Sequence, residues 1–162
     1  MNIRHIIPTD WPAILNIQKE CYPDIVHESL AALQSKAFVA PQSCYVLEVD
    51  GHVLGYCLAH PWHINQPPSL EQVIDAPNDA NTLYLHDIVF SHKARGLGAG
   101  EKVFNRLVNK AKQLNFDTLS LVAVQGANTY WHRLGFKSRI IDKSLDDYPE
   151  DACYMVYQVS GE

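Results

Sequence analysis

The sequence predicts an α/β fold, a mixed β-sheet of about six or seven strands with helices on both faces. Two strand-like runs joined by Asp50-Gly51 predict a β-hairpin, because an Asp-Gly pair between apolar runs favours a tight turn. The run Leu83–Phe90 is apolar on both faces, which is typical of a central strand covered on both sides. A strongly amphipathic helix follows it. The 162 residues can bury a sizeable core, so we expect one domain spanning 1–162.

The N-terminal part is predicted to form one strand and two helices. Residues 2–7 form the strand, and Thr9 or Asp10 is the expected N-terminal cap of the first helix. Pro23 is expected to end this helix, and a second short helix is predicted at 27–37. The first helix has an apolar side made of Trp11, Ile14, Leu15, Ile17, Cys21 and Tyr22.

The middle part contains the hairpin and a long loop before the central strand. The hairpin strands are predicted at Ser43–Val49 and Val53–His60. Residues 61–81 contain four prolines and are predicted to form a loop. Loops of this length within compact domains are usually functional or disordered.

The C-terminal part continues the alternation of helices and strands. A strand is predicted at Thr118–Val124, followed by a short helix that ends at Gly135, where glycine can form the C-terminal cap. Two final strands are predicted at Lys137–Ile141 and Cys153–Val159. The amphipathic helix before them has apolar residues at helical spacing, namely Val103, Phe104, Leu107, Val108, Ala111 and Leu114.

Composition narrows the class of partner. The formal net charge is −5 and no cluster of Lys and Arg is present, which argues against nucleic acid or an anionic membrane as the main partner. The N-terminus is polar within five residues and no apolar run approaches membrane-spanning length, so we expect a cytoplasmic protein. The four cysteines lie singly, without a C-x-x-C pair, as expected of free thiols in a reducing compartment.

The segment Arg95-Gly96-Leu97-Gly98-Ala99-Gly100 connects the central strand to the amphipathic helix. Its glycines permit unusual backbone conformations and close approach of a ligand. The helix N-terminus behind them offers free N–H groups and a positive dipole end, so the segment predicts a pyrophosphate site. A dinucleotide-binding fingerprint requires G-x-G-x-x-G, and here the third glycine comes one position early.

Two motifs resemble those of the GNAT superfamily of N-acetyltransferases. The pattern R-x-x-G-x-G, formed by Arg95, Gly98 and Gly100 behind a strand, is similar to the acyl-CoA-binding signature of that family. The segment 128–136, Asn-Thr-Tyr-Trp-His-Arg-Leu-Gly-Phe, resembles its N…Y-x-x-x-G-F segment. The order of elements also fits over nearly the whole chain, which implies a GNAT-like sheet.

The resemblance implies that acetyl-CoA is the co-substrate. The backbone of Ile88, Val89 and Phe90 would pair with the pantetheine arm like an added strand. Asn128 and Trp131 would lie beside the pantetheine and the thioester. The pyrophosphate would be surrounded by the segment Arg95, Gly96, Leu97, Gly98, Ala99, Gly100 and Glu101.

Acetyl transfer to an amine requires the neutral amine, which is on the order of one molecule in a thousand at pH 7 for an amine pKa near 10. His86 is the candidate base, because its ordinary pKa of about 6.5 suits proton transfer near neutrality. His86 also matches a position at which the arylalkylamine branch of the family has a catalytic histidine. Tyr84 lies two residues earlier on the same strand face. Asp87 should point the other way unless a bulge changes the alternation, and a purely structural His86 remains an open alternative.

The remaining steps need donors for the oxyanion and for the departing sulfur. A backbone N–H near Val89 or Phe90, freed by a bulge or by splayed strands, would stabilise the oxyanion. The family often has an acidic tyrosine where this chain has Trp131. Tyr130 is the candidate acid, although it would need a shifted helix. A thiol of pKa about 8.5 also leaves tolerably well as a thiolate.

The acceptor side is the less defined part of the site. By analogy with the family, Tyr22 and Asp24 are expected to line the acceptor pocket. The acidic stretch Asp142–Asp151 is either a solvated loop or a region that attracts a cationic amine. His60 and His63 lack carboxylate or thiolate partners in the sequence, so we expect no metal.

The sequence thus predicts an N-acetyltransferase that moves the acetyl group of acetyl-CoA directly to a primary amine in a ternary complex. The expected acceptor is a small or amino-acid-like molecule, with neither nucleic acid nor membrane as a partner. The alternative is a non-catalytic acyl-CoA-binding regulatory domain. A homodimer, the acyl-chain preference and the identity of the acceptor are left open.

Overall fold

The computed structural model describes residues 1–22 and 27–159. Within these ranges the chain forms a seven-stranded sheet in the order β1-β2-β3-β4-β5-β7-β6. The strands are β1 Asn2–His5, β2 Tyr45–Val49, β3 His52–Trp62, β4 Thr82–Phe90, β5 Thr118–Ala123, β6 Lys137–Ser138 and β7 Cys153–Gln158. The α-helices are α1 Trp11–Cys21, α2 Leu30–Val39, α3 Ala99–Gln113 and α4 Asn128–Leu134. The predicted α/β fold class is confirmed.

Local signals account for most of these elements. Asp50 and Gly51 have φ angles of 52° and 80°, the left-handed conformations that a two-residue hairpin turn requires. Ser29 caps α2, where its hydroxyl accepts a hydrogen bond from the N–H of Ala32. Gly135, with a φ of 111°, ends α4 as predicted.

Several details differ from the prediction, although Asp10 does stand at the N-cap position of α1. The carboxylate of Asp10 does not cap α1, because it binds the guanidinium of Arg4 and the N–H of Ile7 instead. The second helix starts at Leu30 rather than at residue 27. The predicted strand at 137–141 is reduced to two residues that pair with β7.

The helices cover the sheet on two sides. Beneath α3, the core contains Leu85 of β4 together with Leu107 and Leu121. Beneath α1 and α2, it contains Val89 of the same strand together with Leu33. β4 is therefore buried on both faces, as its apolar sequence predicts. In the described ranges, no helix has the length and apolarity needed to cross a bilayer.

β4 and β5 are parallel but diverge after a short contact. Their ladder contains only the pairs Leu83–Leu119 and Tyr84–Ser120, whereas the other neighbouring strands are antiparallel. Beyond Tyr84 the two strands separate, and backbone groups of β4 on that side have no partner strand. This divergence opens the cleft in which the predicted site residues lie.

Candidate active site

A bulge in β4 places two successive side chains on the same face of the sheet. Leu85 and Asp87 lie opposite consecutive residues of β3, so His86 is the extra residue of β4. Leu85 and Ile88 both pack beneath α3. His86 and Asp87, which lie between them, therefore both face α1 and α2. The sequence predicted that Asp87 would share a face with His86 only if a bulge changed the alternation, and the structure contains that bulge.

The His86 imidazole is held by a carboxylate that precedes α2. Its Nε2 lies 2.5 Å from a carboxylate oxygen of Glu28, and both side chains are only 3% exposed. The other Glu28 oxygen lies 3.6 Å from the Nζ of buried Lys36. The side chain of Gln18 fixes the Glu28 backbone through two hydrogen bonds. Glu28 was not predicted as a site residue, because it meets His86 only in the folded chain.

The contact with Glu28 defines what His86 can do chemically. A carboxylate accepts hydrogen bonds and does not donate them, so His86 donates through Nε2, and in its neutral form it would carry a free lone pair on Nδ1. Nδ1 is buried and has no hydrogen-bond partner among the described residues. Burial alone would raise the pKa of Glu28, but His86 and Lys36 favour its charged form and bring that pKa below its ordinary value. The charged Glu28 would stabilise an imidazolium at His86.

Asp87 has a different environment. Its two oxygens accept hydrogen bonds from the hydroxyls of Tyr22 at 3.0 Å and Tyr56 at 3.2 Å. Burial, together with the nearby charge of Glu28, raises the pKa of Asp87 to about 6, although His86 and the two hydroxyls act in the opposite direction. Neither Tyr56 nor a role for Asp87 in the pocket was expected from the simple alternation of the strand.

A cleft of about 510 Å³ lies where β4 and β5 separate. His86, Tyr130 and Tyr22 line it, whereas Tyr84 lines a second cavity described below. Of the residues predicted to bind acetyl-CoA, the cleft is lined by Ile88, Phe90, Arg95, Gly96, Gly98, Ala99, Gly100 and Trp131. The other predicted contacts, Val89, Leu97, Glu101 and Asn128, lie outside this lining. Asp24 lies outside the described residues.

The glycine segment forms one end of the cleft. Gly96 and Gly98 have φ angles of 82° and 67°, a conformation that favours glycine. Gly98 is the N-cap residue of α3, and no side chain caps this end. The first N–H groups of α3 are therefore free for an anion, and a Cβ atom at Gly98 would have no neighbour within 4 Å. This open helix end fits a pyrophosphate.

Tyr130 and Trp131 also line the cleft, and Tyr130 reaches the glycine segment. The Tyr130 hydroxyl lies 2.5 Å from the position that a Cβ atom would take at Gly100. Tyr130 thus enters the cleft at the start of α3, which is the end at which the pyrophosphate is expected. Trp131 also lines the cleft while its ring packs on Phe136 at 5.4 Å. Whether either residue serves the departing sulfur stays a prediction.

A second cavity of about 40 Å³ adjoins the cleft. The two spaces share Tyr22, His86, Asp87, Val122 and Val124, and the cavity is completed by Glu28, Leu70, Tyr84 and Tyr148. Two segments meet over it, 63–81 and 139–152, which we name the roof loops. The Tyr148 hydroxyl donates to the carbonyl of Pro68 at 2.7 Å, and Asp147 accepts from the N–H of Leu70 at 2.7 Å.

Two carboxylates of the acidic stretch Asp142–Asp151 form hydrogen bonds in the structure. Asp147 and Asp151 both accept backbone hydrogen bonds, from Leu70 and Gly126 respectively. These carboxylates therefore have structural partners. Attraction of a cationic amine by this stretch stays a prediction.

Glu28, His86 and Asp87 are also the described residues that could hold a metal ion, since one ligand atom of each lies within 4.8 Å of the others. Each already has protein partners. Glu28 and His86 bind each other, and two tyrosine hydroxyls bind Asp87. These contacts account for the cluster without an ion, and the expectation of no metal stays a prediction.

Three solved structures have similar folds, and two of them are complexes with CoA compounds. The loading GNATL domain of CurA from Lyngbya majuscula has a TM-score of 0.83 at 14% identity, covering 99% of this chain and 98% of that chain. The GphF GNAT-like decarboxylase in complex with isobutyryl-CoA has a TM-score of 0.80 at 15% identity, with 98% and 100% covered. N-acetylglutamate synthase from Neisseria gonorrhoeae, complexed with coenzyme A and N-acetyl-glutamate, has a TM-score of 0.71 at 16% identity, with 98% and 35% covered.

The site thus combines a divergent pair of parallel strands with an uncapped, glycine-rich helix start. The model of the Acetyltransferase (GNAT) family matches residues 11–136. The chain belongs to this family and is an acyltransferase, which confirms the resemblance predicted from the two motifs. Comparison with curated protein sequences gives no significant match.

Proposed function

We propose that this enzyme transfers an acetyl group from acetyl-CoA directly to the primary amine of a small or amino-acid-like acceptor. The observation that carries the proposal is the junction of the two spaces at His86 and Asp87. The large cleft suits the CoA arm and the small cavity suits an acceptor. The two substrates would then meet beside a histidine with a free lone pair.

The cleft supports the donor half of this proposal. The free N–H groups that begin α3 would bind the pyrophosphate, and Arg95 lies at the same end of the cleft. The pantetheine arm would lie along Ile88, Val89 and Phe90 in the gap between β4 and β5. This route places the thioester in the gap where β4 and β5 separate, and an N–H of β4 near Val89 or Phe90, freed by the splayed strands, would stabilise the oxyanion.

Transfer then needs one base and one acid. The amine nitrogen forms a bond to the acetyl carbon and loses a proton, directly or through water, to Nδ1 of His86. The bond from carbon to sulfur breaks, and the CoA thiolate takes a proton from Tyr130 or from solvent. Glu28 holds the resulting imidazolium by its charge. Tyr84 would line the acceptor side.

The test is a thiol-release assay with acetyl-CoA and a panel of primary amines, with mass spectrometry of the products. We expect CoA release that depends on the amine, together with an acetylated amine. Tight CoA binding without turnover on any amine would instead support a non-catalytic acyl-CoA-binding domain. CoA release without an acetylated product would contradict direct transfer to an amine.

A further inference from the structure

Asp87 is a buried carboxylate whose described hydrogen-bond partners are two neutral hydroxyls, those of Tyr22 and Tyr56. The residue is 9% exposed, and among the described residues it forms no salt bridge. Glu28, the neighbouring buried carboxylate, has both Lys36 and His86 within 4.0 Å. An isolated buried charge is costly, and neutral tyrosine hydroxyls offset that cost only in part.

The carboxylate of Asp87 still has room for another donor. Tyr22 and Tyr56 each donate to a different oxygen, which leaves further acceptor sites on both oxygens. His86 lines the same cavity, with its side chain 3% exposed and its Nδ1 buried without a partner in the described ranges. Two buried groups around one cavity thus have unused hydrogen-bonding capacity that a ligand could satisfy.

The chemistry of the cavity wall indicates what that ligand is. The wall carries two carboxylates, Glu28 and Asp87, and the described residues contribute neither Lys nor Arg to it. Three of its members are tyrosines, namely Tyr22, Tyr84 and Tyr148. Aromatic rings and carboxylates together favour a cation over a neutral or anionic group. A compact ammonium group suits a cavity of about 40 Å³ closed by the roof loops.

We propose that Asp87 binds the acceptor in its ammonium form, and that the closed cavity selects primary amines whose amino end is narrow and unbranched. The inference rests on the proposed function, since it concerns the acceptor of the same reaction. It assigns Asp87 the role of a specificity-determining residue, while His86 removes the proton.

The test compares a cation with its neutral isostere. Propylammonium chloride and 1-propanol are titrated calorimetrically into the enzyme saturated with CoA, first as wild type and then as Asp87→Asn. We expect the wild type to prefer propylammonium by at least about tenfold, because a desolvated carboxylate contact strengthens a hydrogen bond. Asp87→Asn should remove that preference while the affinity for CoA stays unchanged.

Control variants make the result specific. Glu48→Gln removes a carboxylate that pairs with Arg4 at the far edge of the sheet, and it should keep the preference. If Asp87→Asn fails to fold, Asp87→Ser replaces it. A preference for propylammonium that persists in the folded variant would overturn the inference. Competition by MgCl₂ or ZnCl₂ for propylammonium would also overturn it, in favour of a metal site.

The two proposals can fail separately. Loss of propylammonium binding in Asp87→Asn without acetylation of any amine would support the ammonium site and contradict the acetyltransferase reaction. Acetylation of an amine, together with an unchanged preference for propylammonium in the variant, would support the acetyltransferase reaction and contradict the ammonium site.

Discussion

At His86 the strand β4 carries one residue more than its partner β3, and this extra residue changes which side chains meet. In regular alternation, Asp87 would point into the core beneath α3, where an ionised carboxylate has no partner. The bulge instead turns it toward the hydroxyls of Tyr22 and Tyr56. This one-residue bulge thereby brings a histidine and a carboxylate into one site.

Replacing His86 by Ala should lower kcat by about 10²- to 10⁴-fold, the usual contribution of a general base. The pH dependence of kcat/KM should also change, because the group proposed to take the proton has gone. Steady-state kinetics across pH, with acetyl-CoA and the best amine of the panel, would measure both effects. His52→Ala, an exposed position in the hairpin, is the matched control. A wild-type pH profile in His86→Ala would remove His86 from the mechanism.

The stability of the enzyme should depend on pH through Asp87. Its pKa is 3.8 in an ordinary setting and about 6 in the fold, so the folded state holds this proton more tightly. The stabilisation is fully present below about pH 4 and is lost as pH rises through about 6. Relative to Asp87→Asn, the wild type should lose up to about 3 kcal/mol across this range.

Urea unfolding of both proteins at several pH values would measure that difference. The comparison cancels the titrating groups that do not interact with Asp87, and the difference reports Asp87 together with the groups coupled to it. Parallel stability curves for wild type and variant would show that Asp87 does not titrate in this window. The titratable groups near Asp87 in the described residues are Tyr22, Glu28, Lys36, Tyr56, Cys57, His86 and Tyr148.

At the scale of elements, the start of α3 gives the sharpest test of the CoA site. Gly98→Leu places a side chain over the free N–H groups of the helix and should abolish CoA binding. Gly51→Leu is a matched control, because both glycines have positive φ angles and open space around a Cβ atom. Each variant should lose about 1–2 kcal/mol of stability from backbone strain. Calorimetric titration with CoA should show binding by Gly51→Leu and none by Gly98→Leu. Equal affinities of the two variants would contradict the pyrophosphate assignment.

Elements with strong local patterns were predictable from the sequence. The helical spacing of α3, the hairpin turn at Asp50-Gly51 and the cap at Gly135 all follow from neighbouring residues. The bulge in β4 was not predictable, because it depends on the register against β3. The extent of β6 also depends on its partner β7 rather than on its own sequence.

At the scale of the whole molecule, some residues of the candidate site were predictable from local sequence and others were not. The glycine segment and His86 were found because their motifs are local. Glu28 and Tyr148 could not be found, because each reaches the cavity from a different loop and only the complete fold brings them together. Family membership was predictable, since the two motifs lie at a characteristic separation.

The short ladder between β4 and β5 has a mechanical consequence. These strands share only two register pairs, so the sheet consists of a four-strand panel and a three-strand panel joined along a weak seam. Under load pulling the panels apart, the seam would unzip before the antiparallel ladders on either side. In the proposed binding mode, the pantetheine arm lies in that seam and bridges the panels. Bound acetyl-CoA would thus connect the two panels, and the sheet would resist their separation most strongly while the acetyl donor is bound.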